Sequence, residues 1–317
     1  MNPRVSVVIP VYADAGFLRE AAGSALAQEG CDLEVIVADD GSGIDLPAFL
    51  GDLTSRVKLL PLPHRGVSSA RNAAIVASRG EVVAFLDADD AWLPGKLKAQ
   101  LAHLDADPRV GIVFTNLLVV DGDGTESVYG QRHPGIDRRL PGGHFGEALG
   151  SRYRFLGRNC VTSTVIVRRS ALDAAAPDGR FFDEGLPVME DMDLWGRLLD
   201  HTLSDYLPHP WIRYRRHPGG LHLRHAEYES CVRKMADKAS ARNASNLPFQ
   251  REMDRFVADA LVRTGLSCLR RADPGLARRI LARAMVADRL AWRAYAGWFL
   301  SYLPGRRLVL SSGGGGR

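Results

Sequence analysis

The stretch EVVAFLDADDAW, residues 81–92, decides the fold. Its apolar run, VVAFL, is typical of a strand that is buried on both faces of a sheet. Asp87, Asp89 and Asp90 then follow within four positions. Carboxylates this close together repel one another, and each is costly to bury without a partner. We therefore expect the strand to end at a site where these charges are compensated or used.

Strand and helix patterns alternate along the first part of the chain. Short β-branched runs predict further strands at 5–11 (VSVVIPV), 34–39 (EVIVAD) and 57–60 (VKLL). Helical spacing predicts helices over 16–28 and over VSSARNAAIVASRG, the second closed by Gly80. This alternation predicts an α/β fold with a doubly wound, mostly parallel sheet and right-handed crossovers.

Acidic residues stand at the ends of two of these predicted strands. Asp39 and Asp40 close the second strand, and Asp87 and Asp89 close the fourth. Ligands of open α/β sheets bind beyond the carboxyl ends of the parallel strands. We therefore expect both acidic pairs to lie at the same edge of the sheet, in a ligand site.

The spacing Asp87-Ala88-Asp89 has two interpretations. Asp favours turns and helix caps, so a plain turn after the strand is one of them. Alternating aspartates can also direct two carboxylates toward one point, where a hard cation such as Mg²⁺ or Mn²⁺ would remove their repulsion. Such cations usually bring substrate phosphates with them.

The segment MEDMDLWGRLL, residues 189–199, predicts a helix with an acid on its apolar face. Asp191 shares that face with three apolar residues at helical spacing, Leu194, Trp195 and Leu198. Apolar surroundings raise the pKa of a carboxylate, which suits a general base. The alternative is that Glu190 and Asp191 are there because acids favour a helix N-terminus. Asp193 and Arg197 fall on another face, where we expect an ordinary solvated pair.

Composition is that of an ordinary globular protein of 317 residues, with 46% hydrophobic and 25% charged residues. The four cysteines show no paired spacing, so neither a disulfide framework nor a zinc site is expected, and a cytoplasmic location is favoured. The first residues, MNPRVSVVIPVYAD, predict a strand and not a signal peptide. No window holds 18 uninterrupted apolar residues, so we expect no membrane-spanning helix.

Charge divides the chain into an acidic front and a basic rear. Residues 225–317 hold 17 Lys and Arg against 8 Asp and Glu, a net charge of +9, and the total of +4 leaves −5 for residues 1–224. We expect a catalytic α/β domain over 1–224, a basic helical region over 225–310 and a disordered tail over 311–317. The acidic front would repel phosphate backbones, so no nucleic-acid partner is expected.

The stretch 278–310 places arginines beside aromatic residues. The aromatic residues follow helical spacing and are Trp292, Tyr295, Trp298, Phe299 and Tyr302. One interpretation is a helix that packs on the catalytic domain and keeps its arginines in solvent. The other is an amphipathic helix on an anionic membrane surface, which would hold a cytoplasmic protein on the inner face of the membrane.

Taken together, these segments resemble the family 2 glycosyltransferases, which have the GT-A fold. The resemblance runs over roughly residues 4–220. It is carried, in the family's order, by VSVVIPVYADAGFLREAAGSALAQ, EVIVADDGS, GVSSARNAAIVASRGEVVAFLDADD, NCVTSTVIVRRSAL, FDEGLPVMEDMDLWGRLL and YRRH. It implies an inverting enzyme that uses a nucleotide-diphosphate sugar, with a DxD motif at a metal ion and an ED motif at the acceptor.

The resemblance also implies roles for single residues. For the donor nucleotide they are Pro10, Tyr12 and Asp39 at the base, Arg71 at the base or a phosphate, and Asp87 at the ribose and the metal. For the metal they are Asp89 and His217, and an imidazole ligand favours Mn²⁺ over Mg²⁺. For the acceptor they are Asp191 as general base, Glu190 as its support, and Thr162, Ser163 and Trp195 as contacts. The candidates for the diphosphate are Arg213, Arg215 and Arg216, and the choice among them stays open.

We expect a metal-dependent hexosyltransferase that moves a sugar, preferably from a UDP-sugar, to a glycan or lipid-linked acceptor in polysaccharide, lipopolysaccharide or glycoconjugate synthesis. Two alternatives stay open. A sugar-phosphate nucleotidyltransferase would normally have a glycine-rich loop after the first strand, where VYADAG has one glycine. A non-catalytic sugar-binding or scaffold protein would not need Asp89 or Asp191, and both are present. The absence of GxGxxG argues against a dinucleotide-dependent dehydrogenase.

Overall fold

The computed structural model of this chain describes residues 2–129, 160–216, 225–270, 273–288 and 292–302. These residues form two compact units, the first ending at 216 and the second beginning at 225. The sequence predicts a loop at RRLPGGHFG and disorder over 311–317. Both segments lie outside the described residues. The predicted domain boundary at 224 also falls outside them.

One sheet organises the first unit, and its first half is parallel, as predicted. Its nine strands are β1 (Val5–Val11), β2 (Leu33–Asp39), β3 (Lys58–Pro61), β4 (Val82–Phe85), β5 (Ala91–Trp92), β6 (Val110–Val120), β7 (Glu126–Val128), β8 (Ile166–Arg168) and β9 (Leu203–Arg215). Their order across the sheet is β3-β2-β1-β4-β8-β6-β9-β5, and β7 pairs with β6. β1 is parallel to β2 and β4, and β2 is parallel to β3. Because β2 and β4 flank β1, the crevice beyond their carboxyl ends is the expected ligand site.

The second half of the sheet is mixed. β8 is antiparallel to both β4 and β6, whereas β9 is parallel to β6 and antiparallel to β5. The sequence predicts only short strands and loops over 110–170, but β6 is a strand of 11 residues. The first six residues of β6 are all buried, so the strand lacks the regular alternation of apolar and polar residues that would have identified its length.

The helices predicted over 16–28, 67–80 and 188–200 are present in shortened form. In the first unit the described helices are α1 (Leu18–Leu26), α2 (Leu46–Leu50), α3 (Val67–Ala77), α4 (Lys96–Ala106), α5 (Arg169–Ala175) and α6 (Glu190–Leu199). Short 3₁₀ turns occupy Gly51–Arg56 and Thr162–Thr164. In the second unit the described helices are α7 (His225–Arg242), α8 (Leu247–Arg270), α9 (Pro274–Ala287) and α10 (Trp292–Leu300).

Gly80 does not close α3, which corrects the prediction. The helix ends at Ala77, and Ser78 already has an extended conformation. Gly80 lies instead against β1, where an added Cβ would stand 2.5 Å from Ser6 N. The Gly80 N–H donates to Ser6 Oγ at 2.8 Å. The glycine is therefore needed for a close approach between the chain entering β4 and the backbone of β1.

The described part of the second unit is helical, as predicted from residue 225 onward. α9 begins at Pro274 itself, because Asp273 accepts a hydrogen bond from Leu276 N at 2.9 Å and proline suits the first turn of a helix. α8 and α9 approach closely at Gly265, where an added Cβ would stand 2.6 Å from Leu281 Cγ. Of the helices described, none is long and apolar enough to cross a membrane.

The pair Asp193–Arg197 on α6 is buried, so the prediction of a solvated pair is wrong. Arg197 Nε donates to Asp193 Oδ2 at 3.0 Å, and the two side chains are 14% and 0% exposed. Arg197 also donates to the carbonyls of Ala175 and Phe181, which hold the segment after α5 against this face of α6. An i, i+4 spacing identifies neighbours on a helix but not the surface that they face.

Replacing Arg197 by Ala should lower the free energy of unfolding by about 3–5 kcal/mol, because Asp193 would remain as a buried charge without its cation. The matched control is Arg180→Ala, since the Arg180 side chain is 84% exposed beside Asp178. That change should cost less than about 1 kcal/mol. Denaturant unfolding followed by circular dichroism measures both values, and equal losses in the two variants would contradict the importance of the buried pair.

Candidate functional site

The candidate site lies where β1, β2 and β4 end. Val11 of β1 pairs with Asp39 of β2, and Val8 pairs with Phe85, the last residue of β4. The residues that follow the three strands therefore share one edge of the sheet. As predicted from the parallel pattern, the acidic pair after β2 and the acidic residues after β4 are brought to this same edge.

The three residues predicted to bind the nucleotide base are neighbours at this edge. Pro10 is half-buried and pairs with Ala38, one position before the end of β2. Tyr12 follows β1 and is 46% exposed. Asp39 is half-buried, and its Oδ1 accepts a hydrogen bond from Ser42 N at 2.8 Å. The edge thus offers an accessible aromatic ring beside a carboxylate, which is a suitable surface for a planar, hydrogen-bonding ligand.

Asp40 holds the loop that leads into α3. Its buried carboxylate accepts hydrogen bonds from Arg65 N at 2.8 Å, from Gly66 N at 2.9 Å and from His64 Nδ1 at 2.9 Å. His64 stacks in turn on Tyr12, with ring centroids 4.0 Å apart and planes 11° from parallel. Asp40 therefore fixes the loop and, through His64, one face of Tyr12.

The turn after β4, called the aspartate turn below, runs from Asp87 to Asp90. Asp90 N donates to Asp87 O at 3.1 Å and closes the turn. Ser163 Oγ accepts from Asp87 N at 3.0 Å and donates to Asp90 Oδ2 at 2.6 Å, and Arg215 N donates to Asp90 Oδ1 at 3.1 Å. Burial raises the pKa of Asp90 well above its usual value, and the charges of Asp89 and Asp87 add to the rise. Asp90 therefore braces the turn, while Asp87 and Asp89 are partly exposed.

Arg71 on α3 links the aspartate turn to α6. Its Nη2 donates to Asp87 Oδ1 at 2.6 Å, and its Nη1 donates to Glu190 Oε1 at 2.7 Å. Burial alone would lower the pKa of Arg71, but the two carboxylates outweigh burial and raise it. Both terminal nitrogens are thus engaged by carboxylates. Its buried Nε has no hydrogen-bond partner within the described residues, and each terminal nitrogen carries a second N–H. The contact of Arg71 with a base or phosphate therefore stays a prediction.

Asp191 stands at the start of α6, as the helical pattern predicts. Thr162 Oγ1 donates to Asp191 Oδ2 at 3.2 Å, and Met192 N donates to its Oδ1 at 2.7 Å. Burial raises the pKa of Asp191, although the charge of Arg71 opposes the rise. Asp191 as a residue is nevertheless partly exposed. It can therefore take a proton from a group that reaches it from solvent.

Glu190 is buried next to Asp191. Burial and the charge of Asp191 raise the pKa of Glu190 to about 7, against the effect of Arg71. Two adjacent carboxyl groups with raised pKa values share their protons, so the pair titrates as a unit. Such a pair can take up and release a proton near neutral pH.

The acceptor contacts predicted in this region need correction. Thr162 is nearly buried but bonded to Asp191, so it acts by orienting that carboxylate. Ser163 is fully buried and braces the aspartate turn. Trp195 is also fully buried, with its ring centroid 5.4 Å from that of Phe85 and 5.9 Å from that of Phe182. Neither Ser163 nor Trp195 has a surface that an acceptor could touch.

Two of the three arginines at the end of β9 are engaged in ion pairs. Arg213 Nε lies 2.7 Å from Glu126 Oε1. Arg215 Nη2 lies 2.6 Å from Glu20 Oε1, and Arg215 Nη1 donates to the carbonyl of Asp89 at 2.9 Å. Arg215 therefore holds the aspartate turn at two points. Its side chain bonds the carbonyl of Asp89, and its backbone N–H bonds the carboxylate of Asp90.

Arg216 and His217 follow these two arginines. Within the described residues the Arg216 side chain makes no hydrogen bond or ion pair, so it is the arginine left available to an anionic ligand. His217, predicted as a metal ligand, lies outside the described residues.

The carboxylates of the aspartate turn fit a divalent cation. Asp87 and Asp89 supply oxygen ligands, which hard cations prefer. Burial raises the pKa of Asp90, and the charges of Asp89 and Asp87 raise it further; a cation would relieve the part due to those charges. Among the described residues no group of three or more side chains is close enough to hold an ion without further ligands. A complete site thus needs donors from a ligand, from water or from the rest of the chain.

Sequence reasoning missed the structural roles of Asp40, Asp90, Ser163 and Arg215. Asp40 directly follows Asp39, and Asp90 directly follows Asp89, and both preceding residues are predicted to bind a ligand. This adjacency is the only signal in the sequence that points to Asp40 and Asp90. Each of the four acts through hydrogen bonds to residues far along the chain, the Asp90–Arg215 pair being 125 residues apart. Such partners leave no local pattern in the sequence.

Comparisons with known proteins identify the family to which this sequence is similar. The family model described as "Glycosyl transferase family 2" matches residues 6–174. An uncharacterized protein of Mycobacterium tuberculosis is 29% identical over 230 residues, which cover 68% of this chain and 68% of that protein.

Other relatives match over a shorter part of their length. The succinoglycan biosynthesis protein ExoO of Rhizobium meliloti is 41% identical over 124 residues, which cover 38% of this chain and 35% of ExoO. Chondroitin synthase of Pasteurella multocida is 32% identical over 139 residues, which cover 43% of this chain and 14% of the synthase. The match to these two proteins thus spans about a third of one and about a seventh of the other.

The fold is similar to that of S. aureus TarS. The crystal structure of TarS 1-349 in complex with UDP-GlcNAc gives a TM-score of 0.64 at 19% identity and covers 95% of this chain and 89% of that chain. The same TarS region in complex with UDP gives a TM-score of 0.60 at 18% identity over the same shares. This likeness confirms the predicted GT-A fold, and at such identity it shows the fold alone.

Proposed function

We propose, on the premise that this chain belongs to glycosyl transferase family 2, that it transfers a sugar from a nucleotide-diphosphate sugar to an acceptor hydroxyl with inversion at the anomeric carbon. One observation carries the proposal. Asp191, a partly exposed residue whose carboxyl has a raised pKa, directly follows Glu190, and Arg71 ties Glu190 to the aspartate turn. A base and a donor site joined in this way can flank one reaction centre.

For the donor we propose a UDP-sugar bound beyond the ends of β1, β2 and β4. Pro10, Tyr12 and Asp39 would hold the base, and Asp87 would reach the ribose. The TarS structures that contain UDP and UDP-GlcNAc support this donor class. Arg216, whose guanidinium makes no bond to other described residues, would bind the diphosphate oxygens.

For the cofactor we propose Mn²⁺ or Mg²⁺. Asp89 would be its ligand from the aspartate turn, Asp87 would lie beside it, and His217 would complete the set. A divalent cation at this point neutralises charge on the departing nucleotide diphosphate. The arrangement of the aspartate turn supports the proposal, because Ser163 and the backbone of Arg215 fix Asp90 and so hold the turn in one shape.

For the base we propose Asp191. Its carboxylate accepts the proton of the acceptor hydroxyl while that oxygen bonds to the anomeric carbon. On the opposite face, the bond from this carbon to the nucleotide diphosphate breaks, and the configuration inverts. Thr162 orients the carboxylate, and Glu190, paired with Arg71, holds the first turn of α6. Alignment of the reactants supplies much of the rate in such a reaction.

For the acceptor we propose a glycan or lipid-linked molecule in polysaccharide, lipopolysaccharide or glycoconjugate synthesis. The similarity to ExoO, a succinoglycan biosynthesis protein, and to chondroitin synthase supports this class. Both matches cover less than two thirds of the relative, so the acceptor of neither protein is carried over.

The two alternatives fit the site less well. In the chain between β1 and α1, residues 12–17 hold a single glycine, whereas a sugar-phosphate nucleotidyltransferase would need a glycine-rich loop there. A non-catalytic sugar-binding or scaffold protein would have no use for a carboxylate oriented by Thr162 beside a second one bound to a buried arginine. Such buried charges are costly to maintain without a function.

A surface of the second unit supports the proposed contact with a membrane through residues 278–310. On α10 and the turn after it, Tyr295, Phe299 and Tyr302 are spaced i, i+4 and i+7 and are 48%, 71% and 55% exposed. Arg278 of α9 lies over the ring of Tyr302, with its Cζ 4.6 Å from the centroid. Exposed rings beside arginines suit the interface of an anionic lipid surface. The arginines at 289, 306 and 307 lie outside the described residues.

Asp89→Ala and Asp191→Asn should each lower turnover at least about 100-fold, through different steps. A panel of nucleotide sugars is first screened for slow donor hydrolysis, which identifies the donor. Asp89→Ala should also lose cation-dependent nucleotide binding in calorimetry, whereas Asp191→Asn should keep it, because the base acts only in the chemical step. Asp178→Asn, an exposed acid outside the site, is the control. Near-normal turnover of Asp191→Asn would remove the base assignment.

Chelation by EDTA should stop donor turnover, because the carboxylates of the aspartate turn would lose the cation that balances them. Mn²⁺ or Mg²⁺ added back should restore the rate, with Mn²⁺ the better of the two if an imidazole is a ligand. Initial rates before chelation, after it and after each addition give the measurement. Full activity in EDTA would exclude the cation from the mechanism.

The full chain should co-sediment with vesicles of anionic phosphatidylglycerol at low salt and not with neutral phosphatidylcholine vesicles. Tyr295→Ser together with Phe299→Ser should weaken the binding several-fold, because the rings that would enter the interface are lost. The control is Val286→Ser on α9, an apolar residue that is 79% exposed and lies outside the aromatic face. If the unchanged chain fails to bind anionic vesicles at low salt, the membrane proposal is wrong.

A further inference from the structure

α3 and the loop before it are bonded to the donor side of the site. The backbone N–H groups of Arg65 and Gly66 donate to Asp40 at 2.8 and 2.9 Å, beyond the end of β2. Within the helix, Arg71 donates to Asp87 in the aspartate turn at 2.6 Å. The position of α3 is thus set by the two strand ends at which the proposed donor binds.

The same helix is bonded to the segment that carries the proposed base. Asn72 donates to Phe182 O at 2.8 Å and accepts from Phe182 N at 2.7 Å, so it fixes that peptide at two points. Arg65 pairs with Glu184 at 2.7 Å. Arg71 pairs with Glu190, the first residue of α6, at 2.7 Å. Three side chains of α3 and its entry therefore reach residues 182–190.

Arg71 touches both sides with a single side chain, whereas Arg65 uses its backbone N–H for one side and its side chain for the other. Its carboxylate partners lie 16 and 119 residues away in the chain, and its guanidinium lies 5.3 Å from the ring centroid of Phe182. A guanidinium is a rigid planar fork, so two carboxylates bound to it are held at a fixed separation and angle. The side chain is only 4% exposed, and solvent therefore screens these ion pairs little.

The entry to α6 needs such support. Met189, directly before Glu190, has φ 70° and ψ 10°, and it is the only non-glycine residue with positive φ in the described part of the chain. A side chain in this left-handed conformation costs free energy, so surrounding contacts must hold it. The ion pair from Arg71 to the adjacent residue is such a contact.

We infer that Arg71 is a positioning residue through which occupancy of the donor site fixes the start of α6, and with it the carboxylate of Asp191. The inference rests on the proposed function, because it takes the ligand at Asp87 to be the donor. A ligand that restrains Asp87 restrains the guanidinium, and the guanidinium restrains Glu190. Coupling of this kind is reciprocal, so an ordered α6 also strengthens donor binding.

The test is hydrogen exchange of the full chain with and without UDP. In the wild type, saturating UDP should slow exchange of the amides of residues 190–193, among them the Asp193 N–H that donates to Met189 O. In Arg71→Met, UDP should still bind within a few-fold of the wild-type affinity and protect the aspartate turn, but not α6. Donor hydrolysis should fall about 100-fold, the loss that follows a misplacement of a reacting group by about 1 Å.

Further variants keep the test decisive if Arg71→Met does not fold. Arg71→Lys keeps the charge but reaches one carboxylate at a time, so its UDP-dependent protection of α6 should be partial. Glu190→Gln removes the other end of the link and should abolish that protection while UDP still binds. Arg169→Met is the matched control, because Arg169 bonds Gly80 O and Ser78 Oγ away from the site; it should behave as the wild type.

Three results would overturn the inference, and they are distinguishable. Protection of α6 that persists in Arg71→Met and Glu190→Gln would show that the link is not used. Loss of UDP affinity by more than about tenfold in Arg71→Lys would show that Arg71 contacts the nucleotide directly, since charge alone is kept there. If UDP binds neither the wild type nor any variant, the proposed donor fails and the inference falls with it.

Discussion

Repulsion between carboxylates gathered at one edge of the sheet is the constraint on which the rest of this structure depends. Three parallel strands end together there, and acids stand at or just beyond the ends of two of them, β2 and β4. α6 adds two more. Hydrogen-bond donors hold four of these acids. Asp40 accepts from two backbone N–H groups and a histidine, and Asp90 accepts from a serine and a backbone N–H. The partly exposed Asp87 and the buried Glu190 share one arginine. Most of these donors are neutral, so the edge keeps a negative potential that a ligand can use.

The mixed half of the sheet brings two of these donors to the edge, Ser163 just before β8 and the backbone N–H of Arg215 in β9. β8 runs antiparallel to β4, with Val82 opposite Arg168 and Ala84 opposite Ile166. Continued past the end of β4, that register puts Ser163 opposite Asp87, which is where its hydroxyl bonds the aspartate turn. β9 returns parallel to β6 and delivers the backbone of Arg215 to Asp90. A purely parallel sheet would have brought helix-linked strands to this edge, without an antiparallel strand arriving from the opposite direction.

Local patterns in the sequence were enough for the parallel strands, for the helices at their approximate bounds and for the acids at the shared edge, because each depends on residues within about ten positions. Local patterns were not enough to predict which side chains contact one another across the fold. The spacing of Asp193 and Arg197 is the same whether the pair faces water or, as here, the segment after α5. The family resemblance implies that Arg71 contacts the nucleotide. Its bonds to Asp87 and Glu190 depend on the three-dimensional fold, because Glu190 is 119 residues away in the chain. The same holds for Trp195, whose aromatic neighbours come from β4 and from residue 182.

The residual charge at the edge restricts what can bind there. Burial raises the pKa of the Tyr214 phenol, and the charges of Asp90, Asp89 and Asp87 raise it further; Asp89 and Asp87 also raise the pKa of Asp90. The charges of Asp89 and Asp87 thus contribute to both pKa shifts. A diphosphate that entered alone would meet this potential and be repelled. A divalent cation bound to the diphosphate, or the guanidinium of Arg216, would place a positive charge next to it and make the interaction attractive. If the proposed donor is correct, these acids would favour a nucleotide diphosphate that carries a divalent cation over one that does not.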